Sequence, residues 1–553
     1  MNAVAARIKT SLRSALTMFW GWVKPAPESW KGAGNAALAL GLLVFAAWLL
    51  FAHSGPLAVR AIIIAFFVTL GLLAVLGLQL ISLLIGWLNR IPFDYRWKLL
   101  SAVFFFVAPI FTLRTQGGLV VSLGVALAAS LLGGCAWLLF RSRGDLPLAR
   151  RTVLILGALL GAAGLLFALL WVTNRGLDPR PQARAAEIGA PLARVRLENP
   201  TASGPYTVAT LTYGCGSDRC RPEFGAQVGL KTESVDGSHL LAGTWSGLSD
   251  RVRPLIWGFD RTALPLNGRV WYPQGGPSAG PFPLVLMVHG NHEMQDFSDP
   301  GYEYLGELLA SRGFILVSLD ENFLNGGFID LINPTRNEND ARAWLMLEHL
   351  RVWHAWNQNP ANPFYGKVDI DNLAVMGHSR GGEAAALAAA FNQLPAFPEN
   401  ANQVFDYGYN IRAVVAIAPI DGQYWPAEKG TRLEDVSYLV LHGTHDADVN
   451  SFDGINQYER VGFSPGSDAF KAAVHIYRAN HGQFNSTWGD SDFSGFVAAF
   501  INRKVLLSAE EQQQAARLYI SAFLEASLHG QAGYRPLFQD ARAAGSGCPL
   551  RST

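Results

Sequence analysis

Within its first 175 residues the chain carries five long apolar runs, near residues 35–52, 61–88, 99–113, 117–140 and 152–173. No other feature limits the fold as strongly. A bilayer core takes about 20 apolar residues in helix, and within it every backbone N–H and C=O must be satisfied by the segment itself. Five such runs in succession predict an α-helical transmembrane domain of about five spans over residues 1–175. The third run is the shortest of them. No small-residue cleavage site follows a short apolar core, so no cleavable leader is expected.

Charge divides the chain at the same place. Residues 1–175 hold 15 Lys and Arg against 3 Asp and Glu, and the remainder holds 29 against 40. The cations of the first part gather in alternate loops. Arg7, Lys9, Arg13, Lys24 and Lys31 precede the first run, Arg90, Arg96 and Lys98 follow the second, and Arg141, Arg143, Arg150 and Arg151 follow the fourth. Cytoplasmic loops retain positive charge. The N-terminus is therefore expected in the cytoplasm and, after five crossings, the remainder outside it. Residues 10–31, with Trp20, Trp22 and Trp30 beside cations, are expected along the cytoplasmic surface. Few ionisable residues fall inside the spans, which argues for an anchor in the bilayer rather than a transporter. The acidic remainder shows no basic stripe, so no nucleic acid partner is expected. Cys215 and Cys220 flank a four-residue turn in the part expected outside, where disulfides persist, and a bridge between them is expected.

Beyond a Pro- and Arg-bearing linker at 176–200, short apolar runs alternate with helical spacing over 201–535; residues 536–553 read as a C-terminal tail. Gly313–Leu319 is a continuous apolar run, as a strand buried on both faces should be; Val436–Leu441 reads as a buried strand, and Phe282–Val288, Ile411–Ile417 and Ala472–Tyr477 as further strands. Tyr206–Tyr213 and Leu266–Tyr272 read as antiparallel strands that lead into the domain. Helices are expected from Tyr302 to Ser311, from Glu338 to Trp356, and from Ser508, with Glu511 completing a capping box, to Leu528. The alternation predicts an α/β class with a mostly parallel central sheet. Residues 321–337, rich in Asn and Gly, are a long connection beside the expected pocket: a lid, a binding loop or a solvated loop.

The chemistry is concentrated at Gly377-His378-Ser379-Arg380-Gly381, between an apolar strand and an alanine-rich helix. This is G-x-S-x-G in the strand–turn–helix setting that pushes a strained serine out at the top of a sheet. A serine hydroxyl becomes nucleophilic when a base takes its proton. In this arrangement the acid and then the histidine follow, each just beyond a strand. Asp446 is the expected acid, with Asp448 the alternative, and His481 is the expected base. The backbone N–H groups of Arg380 and Asn291 are the expected oxyanion donors. His289/His292 and His442/His445 share a His-x-x-His spacing, but in extended loops that spacing does not converge three or four ligands.

Residues from about 280 to 505 resemble the α/β-hydrolase superfamily, in its dienelactone hydrolase, chlorophyllase and cutinase-like polyester hydrolase branch. Gly-His-Ser-Arg-Gly-Gly at 377–382 is similar to the chlorophyllase nucleophile motif. His289-Gly-Asn-His stands where many lipases carry His-Gly-Gly-Gly. The resemblance implies an α/β-hydrolase fold of about eight strands, no metal or other cofactor, and hydrolysis of esters, lipid or polyester-like in kind. The expected function is a membrane-anchored serine esterase working through an acyl-enzyme. A membrane acyltransferase with the same triad, or a non-catalytic sensor with a hydrolase-like domain, are the alternatives.

Overall fold

The structure, a computed structural model, describes residues 27–51, 57–84, 91–111, 118–142, 146–178, 197–241, 245, 247–326, 338–493, 501–540 and 543. They form two units, one built on the N-terminal helices and one on a large sheet.

Five helices make the first: α1 (Pro27–Phe51), α2 (Leu57–Leu84), α3 (Phe93–Phe111), α4 (Gly118–Arg141) and α5 (Leu148–Thr173). Many of their large apolar side chains point outward, though Phe45, Leu49, Phe67, Phe105 and Phe106 are buried. Leu43, Leu72, Leu76, Leu160 and Phe167 are exposed, while Ala37, Ala102 and Ala126 are buried where α1, α3 and α4 meet. A water-soluble bundle would be arranged the other way round. Small residues at helix contacts and many large apolar side chains left exposed suit a lipid surround.

Among the described residues four helices are long and apolar enough to cross a membrane: Glu28–Leu50, Ile64–Leu83, Val121–Arg141 and Leu148–Trp171. Of the five runs expected to span, the third, α3, falls outside this set. Its first turns carry Asp94, Arg96 and Lys98, which leave too short an apolar stretch. Lys98 is satisfied within the unit by Asp94 (2.7 Å) and Asn35 (2.8 Å). The expected surface segment 10–31 lies mostly outside the described residues, as do 179–196 of the linker.

The second unit is organised by nine strands: β1 (Val208–Gly214), β2 (Leu230–Lys231), β3 (Gly268–Pro273), β4 (Phe282–Val288), β5 (Ile315–Leu319), β6 (Val368–His378), β7 (Ile411–Ile417), β8 (Ser437–Gly443) and β9 (Lys471–Ile476). Their spatial order is β9-β8-β7-β6-β4-β5-β3-β1-β2. The six strands from β9 to β5 run parallel, and β3 pairs antiparallel with both β5 and β1. Every residue of β4, β5 and β8 is buried, the condition their largely apolar sequence anticipates. Four helices serve this sheet: α6 (Glu303–Ser311), α7 (Asn339–Gln358), α8 (Arg380–Phe391) and α9 (Ala509–Ser527). The capping box forms as expected, with Glu511 N–H donating to Ser508 Oγ (3.2 Å) and Ser508 N–H to Glu511 Oε2 (2.9 Å). The second unit is an α/β fold with a mostly parallel sheet.

The chain runs from β4 to β5 on one side of it and then returns to β6 on the other. The crevice beyond the carboxyl ends of β4 and β6 is thus a topological switch point, where open α/β sheets hold their ligands. Of the connection 321–337, residues 327–337 lie outside the described residues; Asn322–Leu324 form a buried helical turn.

The expected Cys215–Cys220 bridge does not form; both thiols are free. Asp218 decides this. Its carboxylate accepts from the N–H of Cys220 (2.8 Å) and of Arg221 (3.0 Å), closing a turn that aims Cys220 into the core. There its S–H donates to Ile256 O (3.4 Å), while Cys215 Sγ pairs with Ser217 Oγ (3.0 Å). Close spacing in sequence does not bring two sulfur atoms to bridging geometry.

Candidate active site

Strand β6 ends at His378 and helix α8 begins at Arg380, so the whole change of direction falls on Ser379. It takes φ 59° and ψ −122°, a left-handed conformation costly for a residue with a β-carbon. Its N–H donates to Ile417 O of β7 (2.9 Å), and its C=O accepts from Gly382 N–H (2.9 Å). Two glycines make the turn possible. A β-carbon on Gly377 would collide with the Gly381 carbonyl. One on Gly381 would collide with the Val288 carbonyl and lie 2.7 Å from that of His289. Gly381→Ala is therefore expected to destabilise the unit by about 1–3 kcal/mol, or to prevent folding; thermal unfolding of the purified chain measures it.

Gly290, just beyond β4, lies directly against the serine. A β-carbon there would sit 2.5 Å from Ser379 Cβ and 3.0 Å from Oγ. The neighbouring Asn291 is exposed, and its Oδ1 accepts from Gly326 N–H at 3.5 Å. His289 holds this loop in place. Glu321 N–H donates to its Nε2 (3.1 Å) and its Nδ1–H donates to Gly290 O (2.8 Å). Burial, reinforced by the Arg342 guanidinium, pushes this imidazole down to about 3 and keeps it neutral. Arg380, as the first residue of α8, has a backbone N–H the helix does not use. Its side chain turns away to Glu338 (2.5 Å).

The loops after β8 and β9 bring Asp446 and His481 together. Asp446 Oδ2 accepts from His481 Nδ1 at 2.9 Å, and both side chains are buried. Asp446 Oδ1 is held by the N–H groups of Asp448 (3.0 Å) and Val449 (2.7 Å). Asp448 is instead mostly exposed, with Oδ2 3.6 Å from His481 Nε2. That Nε2 is buried and has no hydrogen-bond partner among the described residues, Ser379 Oγ included. Burial alone would lower the pKa of His481. Asp446, by charge and hydrogen bond, and Asp448 and Asp492 by charge, outweigh it and raise it to about 9.

Several groups here have no periodic signature and were missed by reading the sequence. His378, inside the motif, is fully buried. Its Nε2–H donates to the backbone carbonyl of His481 (3.1 Å), and Tyr302 O–H donates to its Nδ1 (3.0 Å). A carbonyl only accepts, so the proton sits on Nε2; burial keeps the ring neutral, well below the usual range. Trp488 stacks on His378 (4.5 Å between centroids) and on His292 (5.3 Å), with its indole N–H on Ser298 Oγ (2.9 Å). The His-x-x-His pairs diverge: His289 is buried and bonded to backbone, while His292 lies on Trp488. His442 packs against His475, and His445 against Tyr477.

Residues 269–432 match the family model described as Chlorophyllase, an α/β-hydrolase-like family. The matched stretch is under a third of the chain. It spans β3 to β7 with Gly290 and Ser379, and stops short of Asp446 and His481. Comparison with curated proteins finds no match. The similarity points to an ester hydrolase of the α/β-hydrolase type, and the four apolar helices to membrane association.

Proposed function

We propose that the chain is a membrane-anchored serine hydrolase of carboxylic esters, with Ser379 as nucleophile, His481 as base and Asp446 as the acid that orients it. The observation that carries this reading is the backbone of Ser379. A conformation costing about 1–3 kcal/mol, held at a sheet switch point by glycines that admit no side chain, supports a serine kept for its reactivity. Ser379 Oγ attacks the ester carbonyl while Nε2 of His481 takes its proton. Nδ1, bonded to Asp446, fixes the ring and stabilises the imidazolium. The proton then passes to the leaving alcohol, and water, activated by the same Nε2, releases the acid and restores the serine. The oxyanion falls to the N–H of Arg380 and to the loop that begins at Gly290, with Asn291 as the second donor. The Oγ–Nε2 hydrogen bond closes when substrate fills the crevice, since such contacts are often loose in the free enzyme. Esters of lipid or polyester kind suit an enzyme held at a bilayer.

A general base works only when neutral. With a pKa raised to about 9, His481 is mostly protonated at pH 7 in the free enzyme. Accordingly kcat/KM is expected to rise with pH and level off above about 9. A profile already flat from pH 6 to 9 would contradict this reading of the site.

The cations also bear on sidedness. Arg90, Arg96 and Lys98 precede most of α3, and Arg141, Arg143, Arg150 and Arg151 follow α4. Both groups lie in the cytoplasm only if α3 and α4 each cross. We therefore place α3 as a fifth crossing and the hydrolase outside the cytoplasm. A membrane-impermeant fluorophosphonate on intact and permeabilised cells tests both proposals. Labelling of Ser379 in intact cells supports them. Labelling only after permeabilisation overturns the sidedness, and none in either overturns the nucleophile.

A further inference from the structure

We propose that Asp492 is a positioning residue of this hydrolase: a single carboxylate that ties the loop carrying Asp446 to the loop carrying His481 and sets their separation. The inference rests on the function proposed above and adds to it a residue outside the triad.

Strands β8 and β9 are paired along their length, ending at Gly443 and Ile476. Two further backbone bonds extend the pairing, from Thr444 N–H to Ile476 O (3.0 Å) and from His445 N–H to Ala479 O (2.9 Å). Past that point the two chains have no ladder between them, yet the next residues are the acid and, two further on in the other chain, the base. Asp492 takes over there. Its Oδ2 accepts from Ala447 N–H (3.0 Å), the residue after the acid, and from His481 N–H (3.0 Å), the base itself. Its Oδ1 accepts from Gly482 N–H (2.8 Å) and Asn480 Nδ2 (2.7 Å). Four donors, three of them backbone, converge from both loops on one carboxylate. Charge-assisted bonds of this kind are about twice as strong as neutral ones. Asp492 bonds only the backbone of His481 and so acts through it.

Its negative charge also faces the imidazole. The groups around His481 are the carboxylates of Asp446, Asp448 and Asp492, the neutral rings of His378 and His442, and the indole of Trp488. Removing one carboxylate makes the protonated base less favourable. A role confined to holding the fold together would change the amount of folded protein without changing the titration of the molecules that remain.

The test uses the full chain in detergent, with a p-nitrophenyl ester as substrate and active sites counted by fluorophosphonate titration. In Asp492→Asn, two of the four donors lose their acceptor and the charge is gone. Its kcat per titrated site is expected to fall roughly 10- to 100-fold with KM little changed. The rising limb of kcat/KM should move to lower pH. Asp492→Glu keeps the charge but displaces the oxygens: kcat falls while the limb stays nearer its original pH. Wild-type kcat per site and an unmoved limb in Asp492→Asn, or a loss only in the number of titratable sites, would overturn the proposal. If Asp492→Asn does not fold, Asp492→Glu decides, and a wild-type kcat per site in it overturns the proposal. Failure of the underlying reading looks different: the unmutated chain itself neither labels nor turns over ester, and the positioning role falls with it.

Discussion

Changing Ser379 to alanine is expected to lower kcat for ester hydrolysis by about ten-thousand- to a million-fold and to leave the protein folded. The size of the effect follows from the chemistry. Without Oγ no acyl-enzyme forms, and only positioning and oxyanion stabilisation remain to assist direct attack by water. The preserved fold follows from the structure. The bonds that hold residue 379 are made by its backbone, to Ile417 and Gly382. Alanine has the same β-carbon and meets the same left-handed backbone strain, so the folded state loses little. Ester turnover and thermal unfolding, measured on the same preparation, check the two halves. A variant within about tenfold of the original kcat would mean that the reaction runs through another group.

The second large effect separates two aspartates that stand two residues apart. Asp446→Asn is expected to reduce kcat by about ten-thousand-fold, because an amide can present its N–H to Nδ1 and so favour the wrong tautomer of His481. Its remaining oxygen still accepts from Asp448 and Val449, so the loop should persist. Asp448→Asn is expected to change kcat by less than about tenfold. Its carboxylate is mostly exposed and reaches Nε2 only at 3.6 Å, where water screens the charge. Steady-state kinetics on the two variants decide the matter. The reverse order of effects would make Asp448 the acid.

Why those two residues were hard to tell apart by sequence is instructive. Strand β8 could be read because it is buried on both faces and therefore largely apolar. The loop beyond it has no such period. Its register is set by Asp446 N–H bonding to Gly443 O and by two N–H groups closing on Asp446 Oδ1. Only then does one aspartate turn inward and the other outward. Cys215 and Cys220 teach the same lesson. Their spacing suggested a bridge, and the turn around Asp218 between them sends the sulfur atoms apart. At α3 the length of the apolar run was legible, but Asp94, Arg96 and Lys98 belong to the same helix. A span judged by its apolar residues and a helix bounded by its hydrogen bonds are different segments.

What the sequence determined by itself was everything that repeats or must be local. That includes the apolar helices, the buried parallel strands, the capping box of α9, and the glycine–serine turn whose small residues allow β6 and α8 to pass. Periodicity and steric limits act over a few residues, so a few residues reveal them. The tertiary structure alone decided which side chains meet. Asp492 joins Ala447 to His481 across 45 and 11 residues of chain, and His378 reaches the carbonyl of His481 across 103. Such contacts depend on where whole strands end relative to one another, and no short stretch of sequence carries that information.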